Sequence, residues 1–165
     1  MKPHEQPSTI GMRVSMVVEI EQGSTDKIEY DVEEGVFKLD RVVGQPYPCY
    51  YGFIPSTLGQ DEDPLDAILV NTEDEQPFCT QDTLFCEVAA MLDMYDGGCR
   101  DAKILLVRSN SWTTLDDLRS DGTLDNIMNF FTTYKEGVTG CKWEGFNEAV
   151  DTIVAAHSRY KLHTL

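Results

Sequence analysis

Seven short stretches of strand-like pattern, followed by two amphipathic helical stretches, restrict this chain to few folds. The strands are predicted at 16–20, 27–32, 36–43, 51–54, 67–70, 84–91 and 102–107, separated by Gly, Asp, Asn or Pro clusters. Leu124, Ile127, Met128 and Phe131 then recur at helical spacing, and Phe146, Ala149, Val150, Ile153 and Val154 repeat the pattern. Those stripes read as core faces that pack on a sheet rather than as a cofactor box. Many short strands followed by two such helices predict an α+β domain around a small closed barrel. The 165 residues show no internal repeat, linker or low-complexity block. They are read as a flexible N-terminal tail over 1–11 and a single domain over 12–165.

The segment Asp61-Glu62-Asp63-Pro64-Leu65-Asp66 is the densest in chemistry. In an extended chain the carboxylates of Asp61 and Asp63 point to one side. Pro64 fixes its own φ and biases Asp63 toward extended geometry. A rigid segment that aims carboxylates at one point suits a hard divalent cation. The apolar run Ala67-Ile68-Leu69-Val70 follows at once and reads as a buried strand. A solvated acidic turn fits the same residues. A calcium loop of the EF-hand type fits poorly, because Pro64 takes the fourth position, Asp66 replaces the glycine at the sixth, and Thr72 stands where a glutamate belongs.

Other charged residues stand where a solvated surface does not require them. Glu19 follows Val17-Val18, and Lys27 and Glu29 share one strand face. Arg41 continues the apolar alternation of Phe37 and Leu39. Asp96 and Asp101 bracket the Gly97-Gly98 turn, with Lys103 two residues on. Tyr134-Lys135 closes the first helix, and Tyr47 and Tyr51 flank Pro48. Each alone also fits an ordinary surface charge or a core aromatic.

In combination they closely resemble the soluble inorganic pyrophosphatases of family I, from about Met16 to the second helix. The resemblance is carried by the D-x-D-P-hydrophobic-D segment at 61–66 and by Tyr47-Pro48-Cys49-Tyr50-Tyr51-Gly52. Asp40-Arg41, Asp101-Ala102-Lys103, and Phe130-Phe131 with Tyr134-Lys135 follow in order. It implies an OB-like closed five-stranded antiparallel β-barrel with flanking strands and two main α-helices. It implies hydrolysis of inorganic pyrophosphate to two orthophosphates by direct attack of a metal-activated water. Glu19, Glu29, Asp61, Asp66, Asp96 and Asp101 are implied metal ligands, and Asp63 the base on the attacking water. Lys27, Arg41, Lys103, Lys135, Tyr51 and Tyr134 are implied substrate-binding groups, with Lys27, Arg41 and Tyr51 also catalytic. Tyr47 matches a tyrosine near the metal site. The implied cofactor is Mg²⁺, three to four ions with substrate bound, with Mn²⁺ a substitute and Ca²⁺ an inhibitor.

The chemistry has a physical basis. A pyrophosphate near full ionisation repels an anionic nucleophile; paired metals acidify water and screen the phosphoryl oxygens, and Lys and Arg take up charge on the leaving group. Hard carboxylate oxygens favour magnesium over zinc. His4, His157 and His163 read as surface residues rather than ligands.

Composition narrows the alternatives. A formal net charge of −16 disfavours nucleic acid and anionic membrane as partners. No apolar run is long enough to cross a bilayer, and Met1 to Ser15 carry no secretory apolar core. Five cysteines without a C-x-x-C pair argue for small hydrophobes in a reducing cytoplasm, not a disulfide framework or a zinc site. Asn129 and Thr133 stand where bacterial hexamers of the family often carry interface histidines, so only a homo-oligomer is expected. The rival readings are a catalytically retired metal- or phosphate-binding module on the same barrel and a nucleic-acid-binding barrel.

Overall fold

The computed structural model describes residues 2–5, 13–70, 77–108 and 114–164. Nine strands are present among them: β1 (Arg13–Ile20), β2 (Asp26–Asp31), β3 (Val36–Val42), β4 (Tyr50–Ile54), β5 (Leu65–Leu69), β6 (Thr83–Asp96), β7 (Cys99–Arg100), β8 (Lys103–Arg108) and β9 (Val138–Glu144). Helices α1 (Leu115–Ser120) and α2 (Thr123–Thr133) precede β9, and α3 (Phe146–His163) follows it. The seven expected strands and two expected helices are all there. Strands β7 and β9 and helix α1 were not foreseen. All three lack a legible period: β7 has two residues, α1 has six, and β9 reads Val-Thr-Gly-Cys-Lys-Trp-Glu.

Strands β1, β4, β5, β8 and β6 pair in that order, and β6 pairs back onto β1, so the five close into a barrel. The barrel was expected to be antiparallel throughout. It is mixed, because β5 and β8 run parallel, Asp66 lying opposite Lys103. The long connection between those strands, which includes β6, permits this pairing. Strand β9 adds to β6, while β2 and β3 form a separate hairpin.

The barrel strands are buried on both faces, which accounts for the near-continuous apolar runs in β1, β5 and β8. One cluster gathers Val14, Met16, Val18, Ile54, Leu69, Met91 and Ile104 with Ala149, Ile153 and Ala156 of α3. A second gathers Ile20, Tyr47, Ile68, Leu92 and Leu105 with Leu124, Ile127, Phe130 and Phe131 of α2. Gly52 lies where β4 crosses β1; a Cβ there would sit 1.9 Å from the Val17 carbonyl oxygen, so any side chain forces the strands apart.

Three local expectations fail. Leu39 is 57% exposed, so the Phe37–Leu39–Arg41 alternation marks no buried face beyond Phe37, which packs on Tyr30. Phe146 and Val154 are exposed, and the buried stripe of α3 is Ala149, Ile153 and Ala156. Residues 2–5 of the expected tail form a short helical turn held to the domain: His4 Nδ1 lies 2.9 Å from the Tyr30 hydroxyl, and the Ser56 N–H donates to the His4 carbonyl. The rest of the tail and Thr72 lie outside the described residues.

Candidate active site

A cavity of about 290 Å³ opens between the β2–β3 hairpin, the mouth of the barrel and the end of α2. Glu19, Lys27, Glu29, Tyr47, Tyr51, Asp61, Asp63, Asp66, Asp96, Asp101, Tyr134 and Lys135 line it. Two predicted site residues do not. Lys103 lies directly beneath, fully buried, and Arg41 is exposed on β3 opposite Lys27.

Each wall follows from local structure. The Tyr30 N–H donates to Glu19 Oε2 at 2.8 Å, which ties the hairpin to β1 and holds the carboxylate inward. Lys27 Nζ donates to Glu29 at 3.0 Å and to Asp40 at 3.1 Å. Asp40 as a partner of Lys27 was missed, because it depends on an irregularity in the hairpin register: Lys27 pairs with Arg41 but Ile28 pairs with Leu39. On the far wall Lys135 pairs with Asp96 at the end of β6. Gly97 and Gly98 both have positive φ in the turn to β7, the geometry of a two-residue hairpin turn.

The acidic segment is not extended. Glu62 has φ 71° and the Asp63 N–H donates to Asp61 Oδ1 at 3.1 Å, making a tight turn. Both aspartates still face the cavity, but the turn delivers them, not strand alternation. Asp66 is the second residue of β5, where its register opposite Lys103 sets the floor. Lys103 Nζ donates to Tyr51 at 2.8 Å and to Asp66 and Asp101 at 3.2 Å each. The rings of Tyr51 and Phe131 flank the ammonium, their centroids at 5.0 and 5.3 Å.

The electrostatics are those of concentrated negative charge. Burial, opposed by a backbone hydrogen bond, pushes the Glu19 carboxyl up to about 8. Burial also raises Asp66 to about 7 against the pull of Lys103. Asp61 and Asp63 are raised by burial too, Asp63 further by the charge of Asp61. Burial disfavours ionised Asp101, but Lys103, a hydrogen bond from Asp66 and the charge of Lys135 together outweigh it, and its carboxyl is lowered. Burial disfavours the Lys27 and Lys103 ammoniums as well, and their carboxylate neighbours reverse the effect in both. Among the described residues no three acidic, histidine or cysteine groups converge on one point as they stand.

A barrel mouth walled by carboxylates and lysines, with tyrosine hydroxyls between, suits a small polyanion held together with hard cations. The family model described as inorganic pyrophosphatase matches residues 16–161. An inorganic pyrophosphatase of Methanosarcina acetivorans is 42% identical over 156 residues, spanning 88% of this chain and 91% of that protein. One from Halalkalibacterium halodurans is 39% identical over 160 residues, 90% and 95% of the two chains. The crystal structure of inorganic pyrophosphatase from Thermus thermophilus superposes with a TM-score of 0.88 at 33% identity, covering 98% of this chain and 99% of that one. The chain belongs to the inorganic pyrophosphatase family.

Proposed function

We propose that this chain hydrolyses inorganic pyrophosphate to two orthophosphates in the cavity described, with Mg²⁺ as cofactor. The observation that carries the reading is one cavity lined by seven carboxylates and two lysines, Lys27 and Lys135, with Lys103 beneath it and Arg41 off its wall. So unbalanced a site, with four of its carboxyls raised, favours added divalent charge. The donors are hard oxygens, which fit Mg²⁺, and Mn²⁺ as a substitute, better than zinc. Glu19, Glu29, Asp61, Asp66, Asp96 and Asp101 are the groups proposed to hold three to four ions when substrate is bound. Bound metal supplies acidified water and neutralises phosphoryl charge.

The remaining roles belong to the chain itself. Asp63 accepts the proton of the attacking water; partial burial and the charge of Asp61 raise its basicity toward that of the medium. Lys27 and Lys135 bind phosphoryl oxygens from opposite walls, joined by Tyr134. Tyr51, bonded to Lys103, presents its hydroxyl from the floor. Arg41 lies off the cavity wall but close enough for its charge to reach Tyr47. It is proposed to contact the outer phosphate.

Phosphate release is the test. Purified protein should release phosphate from pyrophosphate with Mg²⁺, should stop in excess EDTA, and should be inhibited by Ca²⁺. No release from folded, Mg²⁺-supplied protein overturns the reading. Two further proposals accompany it. Assembly with further copies of this chain is checked by sedimentation, a purely monomeric species sinking it. A cytoplasmic setting draws support from cysteines free of disulfides.

A further inference from the structure

The loop between β4 and β5 carries Asp61 and Asp63 to the cavity, and helix α3 holds it there. The loop is ten residues long, 55–64, and two of its non-glycine residues have left-handed backbone, Ser56 with φ 57° and Glu62 with φ 71°. Such conformations persist where the surroundings impose them. Part of the restraint is internal. Thr57 Oγ1 donates to the Ile54 carbonyl at 2.5 Å and accepts from the Leu65 N–H at 3.0 Å, closing the base of the loop. The Gly59 N–H donates to the Asp63 carbonyl at 2.7 Å.

Besides the Ser56 N–H bond to the His4 carbonyl, further restraint comes from one turn of α3. The Leu58 N–H donates to the Ala156 carbonyl at 3.0 Å, and Arg159 Nε donates to the Leu58 carbonyl at 2.8 Å. His157 Nδ1 lies 2.8 Å from the Ser56 carbonyl. A carbonyl only accepts, so Nδ1 carries the proton. Arg159 and Thr152 of the same helix also line, with Asp61, Asp66 and Asp101, a small cavity of about 30 Å³ behind the acidic segment. The helix therefore meets the loop on the side away from the main cavity.

We propose that Arg159 and His157 are positioning residues that hold the 55–64 loop, and through it the proposed metal ligand Asp61, in the geometry that binds the divalent cation. The inference rests on the metal site proposed above. Neither residue lines the cavity where chemistry is proposed, so their loss acts on cation affinity only through the loop. Groups that orient metal ligands from behind typically change affinity about 10–100-fold when removed.

The experiment is Mg²⁺ binding by isothermal titration calorimetry without pyrophosphate, together with Mg²⁺ activation of phosphate release. Arg159→Ala is expected to weaken Mg²⁺ binding about tenfold. It should raise the half-activating Mg²⁺ concentration in parallel. His157→Ala is expected to act in the same direction, and His157→Asn, whose amide keeps an N–H donor near the Nδ1 position, to restore affinity. Parent-like Mg²⁺ affinity in Arg159→Ala overturns the proposal, whatever its melting temperature. Should the alanine chain not fold, Arg159→Lys, which keeps the charge but lacks the Nε donor, is judged by the same criterion. Asp66→Asn separates the two readings. If it leaves Mg²⁺ affinity intact, the metal site itself is misassigned; if it abolishes binding while Arg159→Ala does not, only the positioning role fails.

Discussion

Replacing Lys103 with Met tests the electrostatic floor of the site most directly. Met is close to Lys in length, and its thioether can rest against the same Tyr51 and Phe131 rings, so the loss of packing is small. What changes is charge: Asp66 and Asp101, each 3.2 Å from the ammonium, are left facing one another across a buried gap. At an effective dielectric of about 20, one such 3.2 Å contact is worth about 5 kcal/mol of gross attraction, most of it cancelled by drying the charged groups. Removing one member of a buried ionic cluster leaves a net loss of about 3–5 kcal/mol. For a chain of this length that lowers the melting temperature by about 10 °C.

The loss depends on pH with a defined sign. A carboxyl whose folded pKa is raised binds its proton more readily in the folded chain, so it destabilises progressively as pH rises through the folded value. Asp66 is already raised to about 7, by burial opposed by Lys103. Without Lys103 it rises further and stays protonated at pH 6, which relieves the repulsion. Urea unfolding in EDTA should therefore show the full deficit at pH 8.5 and a clearly smaller one at pH 6. Mg²⁺ should stabilise the variant, by about 2.7 kcal/mol at a hundredfold excess over its Kd. Equal stability of the variant and its parent at pH 8.5 without metal, or a larger deficit at pH 6 than at pH 8.5, would refute the reasoning.

Three further outcomes follow from the same geometry. Glu19 rises from 4.5 to about 8, chiefly by burial, so the metal-free protein should lose stability as pH climbs from about 5 through 8. At about 1.4 kcal/mol per pH unit the upper bound is about 5 kcal/mol; Glu19→Gln should flatten that slope, and an unchanged urea-denaturation profile would count against it. Asp63→Asn and Asp66→Asn should lower kcat by about a hundredfold or more without unfolding the chain; near-parent rates with a native circular-dichroism spectrum would reject either assignment. Gly52→Ala, whose Cβ meets the Val17 carbonyl at 1.9 Å, should cost about 4 kcal/mol or more, or prevent folding, and a parent-like melting temperature would show that β1 and β4 yield at that point.

How much was legible depended on whether a signal was local. Lys27 and Glu29 share a face because strand alternation is a two-residue property, and the structure sets both on the cavity. Asp61 and Asp63 both line the cavity, but not for the local reason the sequence offers. Their common direction comes from a turn with a left-handed Glu62, which no propensity of that residue announces. Asp40 escaped notice because its contact with Lys27 depends on a shift in hairpin register. Arg159 and His157 escaped because their partners lie 101 residues away in sequence. Strand β9 escaped because Gly140 interrupts it and its pattern comes from pairing with β6, not from its own residues.

By itself the sequence determined the order of the seven predicted strands and two predicted helices, the concentration of aspartates at 61–66, and a motif set specific enough to imply the family. Those properties are written in near neighbours, where spacing and backbone preference act directly. Only the tertiary structure decided that β5 and β8 run parallel, that Asp66 therefore sits opposite Lys103, and that Arg41 lies off the cavity wall. It alone decided that burial lifts Glu19 and Asp66 while an equally acidic Asp101 is lowered. The physical reason is that a carboxyl's pKa depends on its distance from water and from an ammonium, and for Asp66 both are set by strands far apart in the chain.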